Sequence, residues 1–250
     1  MTGLRHPRLV WSDEFDGPAS SPPDPSRWEF ELGDGSADGD PGWGNGELQW
    51  YTDSTANAAL DGSGNLVIRA RAEEGRYTSA RIITKGKVEL EHGRIEAKAR
   101  VPRGEGMWPA VWALGANIDS APWPACGEID IMEHVGREPR RAFGAVHGPG
   151  YSGEACVGGE IALDEDLANA FHVFAVDWAP RRIEWSVDGR IYHAVTPVNV
   201  PGEWAFEHPF FLIVNLAVGG SFGGPVGSET VFPQELVVDY VRAYAPTGSD

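Results

Sequence analysis

The chain has 250 residues, of which 42% are hydrophobic and 23% charged, the balance of an ordinary soluble globular protein long enough to bury a sizeable core. Its net charge of −17 argues against nucleic acid or an anionic membrane as a partner. No apolar run approaches the roughly 20 residues needed to span a bilayer. Ten Trp, 32 Gly and 19 Pro favour many turns and a large aromatic surface. With no linker-like stretch and no internal repeat, the reading is one domain over 1–250 and a monomer by default. The opening Met-Thr-Gly-Leu-Arg-His-Pro lacks the apolar core of a signal peptide, which leaves a cytoplasmic protein and a processed mature form both open.

Along the chain, short alternating segments recur. Leu66–Arg71 follows the Gly-rich turn Asp61-Gly62-Ser63-Gly64, and Arg94–Val101 alternates polar and apolar residues throughout, as a half-buried strand does. In Met107–Leu114, period two puts Trp108, Ala110 and Trp112 on one face, with Trp123 following. Indoles flanking a small Ala suit a platform for flat sugar faces, although Trp alone more often belongs to a core. Leu163–Ala170 is the one segment that reads as helical. Phe171–Trp178, Arg182–Val187, Arg190–His193, Phe210–Val218 and Leu236–Tyr244 read as further strands, with Asp188-Gly189 as a tight hairpin turn. Many strands and almost no helix predict an all-β antiparallel sandwich. Cys126 and Cys156 leave two readings open, a single disulfide or two unpaired thiols.

The segment Gly127-Glu128-Ile129-Asp130-Ile131-Met132-Glu133 carries the chemistry. A regular strand puts Glu128, Asp130 and Met132 on one face and Ile129, Ile131 and Glu133 on the other. Glu133 then points into the layer its isoleucines must bury, where an unpaired carboxylate is costly. A β-bulge around Met132 would return Glu133 to the face of Glu128 and Asp130. Three readings compete. A merely wet edge conflicts with the interleaved apolar residues. A metal site completed by His134 or His147 suits calcium or magnesium, but lacks a loop of EF-hand type. Paired carboxylates cleaving a glycosidic bond use every feature of the segment.

These seven residues resemble the active-site signature of glycoside hydrolase family 16, in the bulged E-x-D-x-x-E version of laminarinases, endo-β-1,3-glucanases. The resemblance covers nearly the whole chain. It runs through Trp11-Ser12-Asp13-Glu14-Phe15, Asn45-Gly46-Glu47-Leu48-Gln49-Trp50-Tyr51, Arg81-Ile82-Ile83-Thr84-Lys85-Gly86, Trp108-Pro109-Ala110-Val111-Trp112, His147-Gly148-Pro149-Gly150, Asn215–Gly220 and Val238–Arg242. It implies a jelly roll with a concave, Trp-lined cleft and retaining endo-hydrolysis of β-1,3-glucan, with mixed-linkage β-1,3-1,4-glucan as the close competitor. A non-catalytic β-glucan-binding module on the same fold is the alternative from another class; such modules lose the acids that this chain keeps.

By the same resemblance Glu128 is the nucleophile and Glu133 the acid/base. Asp130 lies between them, where its charge helps keep Glu133 protonated and its carboxyl shares a hydrogen bond with Glu128. Asn45, Arg81, Trp108, Trp112, Trp123 and His147 are the implied substrate-binding residues. The family usually has Trp where this chain has Phe222, in a loop at the glycone end of the cleft, which implies a changed contact there. A structural calcium is implied on the opposite face, held by the Asp239 carboxylate and the backbone oxygens of Glu14 and Gly64. The expected setting is extracellular, as a mature secreted protein.

Overall fold

The computed structural model describes residues 8–246, so the N-terminal stretch bearing on a signal peptide lies outside the described residues. The strands in chain order are β1 (Leu9–Asp13), β2 (Glu29–Glu31), β3 (Gln49–Tyr51), β4 (Ala58–Leu60), β5 (Leu66–Glu73), β6 (Arg76–Ser79), β7 (Arg81–Ile83), β8 (Gly93–Arg100) and β9 (Met107–Gly115). They continue with β10 (Glu128–Glu133), β11 (Arg141–His147), β12 (Val157–Ala162), β13 (His172–Ala179), β14 (Arg182–Val187), β15 (Arg190–Val195), β16 (Phe210–Val218) and β17 (Gln234–Tyr244). One helical turn, α1 (Gly220–Gly223), follows β16.

Two sheets form from these strands. One runs β15-β14-β13-β8-β17-β5-β6-β3, with β1 on β17 and β4 on β5; the other runs β12-β11-β10-β9-β16-β7-β2. All pairings are antiparallel except β3 with β6. The apolar faces of both sheets meet in one core that holds Phe174, Trp178 and Trp185 from one side and Val111, Ile129, Phe210 and Val214 from the other. This is the sandwich that the alternating segments predict, because each strand can bury one face only against a second layer. The hairpin at Asp188-Gly189 is a two-residue turn with φ of 51° and 76°, the left-handed pair that matches strand twist.

The predicted helix at Leu163–Ala170 reduces to a 3-10 turn at Leu167–Asn169. In a helix the Leu167 N–H would bond the Leu163 carbonyl; here it donates to the Pro139 carbonyl, while the Leu163 N–H donates to that of Arg140. Cys126 and Cys156 are both free thiols, which resolves the open choice between them.

Candidate active site

Five strands of the smaller sheet, β11-β10-β9-β16-β7, carry the side chains in question. On β10, register with β9 runs Asp130 opposite Trp112, then Met132 opposite Val111 and Glu133 opposite Ala110. The extra residue is therefore Ile131, one position before the expected Met132. With β11 the same slip separates Asp130–Ala145 from Glu133–Phe143. Ile131 and Met132 are 2% and 0% exposed, so two successive side chains enter the core and Glu133 returns to the face of Glu128. The misfit between strand period and acid placement is relieved by this bulge.

Two acids are each fixed by an indole. Trp123 Nε1 donates to Glu128 Oε2 at 2.7 Å, and Trp108 Nε1 donates to Glu133 Oε1 at 2.8 Å. Trp108 and Trp112 are half-buried on alternate β9 positions, while Trp123 is 45% exposed at the rim. Whatever faces they offer, two of the three indoles also hold a carboxylate. Trp108 meets Phe222 edge-on at 5.6 Å between ring centroids, and Phe222 meets Phe143 at 5.1 Å, so the Phe in place of Trp still packs against the platform.

Burial raises Glu133 to about 7; the Trp108 hydrogen bond and the His147 charge pull down, and the Glu128 charge pushes up. The expected crowding by Asp130 is thus not the main cause: burial disfavours the carboxylate before any neighbour does. Asp130 is 3% exposed and is itself raised well above the usual range, first by burial and then by Glu128 and Glu133. Its contact is with His147 rather than the hydrogen bond to Glu128 that the sequence reading gave it: His147 Nε2 lies 3.1 Å from Asp130 Oδ2 and 3.7 Å from Glu128 Oε1.

Burial opposes an imidazolium at His147, but the three carboxylates outweigh it and raise the ring to about 9. The Gly153 N–H, 3.0 Å from Nδ1, works against that second proton, since two donors would face each other. Nε2 is thus the ring nitrogen that carries a proton on the side of the acid row. Glu128, Asp130 and His147 also offer three ligand atoms within 4.8 Å of one another, the one such group of three among the described residues. His134, the other candidate ligand, is 1% exposed, with Nδ1 2.8 Å from the Arg141 carbonyl and its basicity lowered to about 4 by burial.

Arg81 and Asn45 are placed differently from simple substrate contacts. Arg81 is 8% exposed, ion-paired to Glu31, and lies between the faces of Trp43 at 4.4 Å and Trp112 at 4.9 Å. It supports the platform from behind. Asn45 is exposed; its Nδ2 donates to Glu47 Oε1 at 3.3 Å, and its carbonyl accepts the Ser221 N–H at 2.7 Å, tying the 41–50 loop to the α1 turn.

Sequence reasoning assigned no role to a chain of donors behind Trp112. Trp112 Nε1 donates to Asn215 Oδ1 at 2.8 Å, Asn215 Nδ2 to Tyr51 Oη at 3.0 Å, and Tyr51 Oη to Glu47 Oε2 at 3.2 Å. The signal was present as the alternation Glu47, Gln49, Tyr51 against exposed Leu48 and Trp50.

Of the implied calcium residues, Asp239 lies on β17 between the stretch paired with β5, up to Val238, and the stretch paired with β1, from Val241. Gly64 lies beside the Glu14 carbonyl and the Asp16 carboxylate. Lys98 Nζ takes Asp239 Oδ2 at 2.6 Å, and the Glu14 carboxylate is taken by Arg242.

Residues 43–241 match the family described as glycosyl hydrolases family 16. A beta-glucanase of Rhodothermus marinus is 45% identical over 96% of this chain and 85% of its own length. A glucan endo-1,3-beta-glucosidase of Cryptopygus antarcticus is 36% identical over 94% of this chain and 91% of its own. Among solved structures, the catalytic domain of an endo-1,3-beta-glucanase (laminarinase) from Thermotoga petrophila superposes with a TM-score of 0.91 at 46% identity, covering 98% of this chain and all of that one.

Proposed function

The chain belongs to glycosyl hydrolase family 16, and from that premise we propose that it is a retaining endo-β-1,3-glucanase that cuts laminarin-type chains in its Trp-lined cleft. The observation that carries this is the division of labour between two carboxylates on one bulged strand. Glu133, lifted to about 7 by burial, keeps its proton in a large share of molecules near neutral pH and in nearly all at mildly acidic pH, while Glu128 is held by Trp123.

Glu128 attacks the anomeric carbon and forms a glycosyl-enzyme as the glycosidic bond breaks. Glu133 gives its proton to the leaving oxygen, then takes one from the incoming water, which hydrolyses the intermediate. Two inversions return the original configuration. Asp130 acts through His147, which holds the centre of the acid row. Trp108, Trp112 and Trp123 offer faces for sugar C–H surfaces, with Arg81 bracing Trp112. We further propose a structural calcium at Asp239, Glu14 and Gly64, remote from the chemistry and supplying only rigidity.

Reducing-sugar release from laminarin, curdlan, lichenan and agarose, measured in parallel, tests the reading. Release from laminarin and curdlan with β-anomeric product by NMR is expected, and lichenan cleavage reports mixed-linkage tolerance. Glu128→Gln is expected to abolish turnover in a folded protein. No release from any substrate, or near wild-type activity in Glu128→Gln, would sink the mechanism and favour a binding module.

A further inference from the structure

The bulge in β10 leaves the ladder broken on both edges directly after Asp130. The Asp130 carbonyl, at that point, accepts a bond from the opposite sheet: Trp185 Nε1 donates to it at 2.7 Å, across 55 residues of sequence. Trp185 sits on β14 and is fully buried. Its entry depends on Gly144, which lies opposite the two bulge residues Ile131 and Met132, because Ala145 pairs with Asp130 and Phe143 with Glu133. A Cβ on Gly144 would lie 2.3 Å from Trp185 Cδ1, 2.6 Å from Nε1 and 2.6 Å from Tyr192 Oη. These approaches are shorter than real Cβ contacts allow, and an indole in a filled core has nowhere to retreat. Gly144 is therefore a seat for Trp185, not a flexible point in the strand.

We infer that Trp185, seated on Gly144, is a positioning residue for the acid/base Glu133, holding the bulge that turns this carboxyl into the cleft. The inference rests on the mechanism proposed above. The fully buried Trp185 N–H needs an acceptor inside the sandwich, and it finds one at the residue after which the register slips. Remove the donor and nothing from the facing sheet holds the strand where its register slips; pairing Ile131 directly after Asp130 would then restore the regular ladder, which by period two sends Glu133 toward the core. The default role of such a Trp is core filling, which makes no use of where its N–H points. Trp178 supplies the comparison. It is 1% exposed on the adjacent strand β13 and donates Nε1 at 3.0 Å to the Phe206 carbonyl, outside the carboxylate strand.

The test replaces each indole by benzothienylalanine, which keeps the shape and deletes only the N–H. For Trp185→benzothienylalanine, kcat on laminarin is expected to fall by about 10–100-fold, the scale of a misplaced catalytic group, with KM within about twofold. The alkaline limb of its kcat/KM profile should also move, because Glu133 changes surroundings. The Trp178 analogue should melt lower yet keep the wild-type kcat and limb. Gly144→Ala, which expels the indole without altering it, should reproduce the kcat loss and the displaced limb. Equal kcat and unmoved limbs in both Trp185 and Trp178 analogues would overturn the inference, as would a wild-type profile in Gly144→Ala. A wild-type enzyme inactive on every glucan would instead overturn the underlying mechanism, so the two failures are distinguishable.

Discussion

Glu133→Gln is expected to yield a dead protein that is more stable than the wild type, and increasingly so as pH rises. Glu133 is lifted from the ordinary 4.5 to about 7, first by burial. An acid raised on folding contributes stability while protonated in both states, below about 4.5, and that contribution is lost as pH climbs through about 7. At about 1.36 kcal/mol for each pH unit, the rise bounds the loss at roughly 3 kcal/mol. Part of the side chain stays open to the cleft. Water there screens the charge, which brings the expected gain to about 1–3 kcal/mol. Gln keeps an amide oxygen for the Trp108 N–H and carries no charge to desolvate. For a chain of this length the gain corresponds to roughly 2–10 °C in melting temperature. Melting curves of both proteins from pH 4 to 9 read it directly: near coincidence at pH 4, divergence between about 4.5 and 7, and a constant gap above. A gap that does not change with pH, or a variant that melts lower at pH 8, would refute burial as the cause.

Trp108→Phe removes the N–H that favours the ionised form of Glu133 while keeping a ring edge against Phe222. A hydrogen bond to a charged group is worth about 1.5–3 kcal/mol, so the alkaline limb of kcat/KM should move up by about one pH unit, and an unmoved or lowered limb contradicts the assignment. Arg81→Lys keeps the charge but loses the planar group between Trp43 and Trp112. Steady-state kinetics should show KM raised roughly 3- to 10-fold with kcat nearly unchanged, and an unaltered KM would show that the platform needs no brace. Calcium added after EDTA treatment should raise the melting temperature of the wild type and not of Asp239→Asn; identical responses would remove Asp239 from the site.

Strand period made the sandwich legible, and for the same reason it made the acid segment legible as a misfit. Trp108 and Trp112 on one face, Arg94–Val101 as a half-buried strand and the Asp188-Gly189 turn all follow from local alternation. What alternation cannot report is where an indole N–H ends up, because that depends on which strands become neighbours. Trp108, Trp112 and Trp123 were read as faces, yet their N–H groups go to Glu133, Asn215 and Glu128. Arg81 lies far from Trp112 in sequence and next but one to it in the sheet, so only β9-β16-β7 order reveals the stack. The helix expected at Leu163–Ala170 failed through tertiary competition, the Leu167 N–H that would close its first turn being claimed by Pro139.

The bulge ties these levels together. Burying Ile131 and Met132 side by side gives the core two apolar side chains where a regular strand would give one. By the period-two argument, the same step carries Glu133 across the sheet. The carboxyl arrives close enough to the core for burial to raise it to about 7, and close enough to the cleft to reach a leaving oxygen. A regular strand would instead point Glu133 into the core, where no substrate reaches it. The proton donor is therefore a product of the register slip as much as of the residue, and any change that restores regular pairing should cost turnover even with all three acids intact.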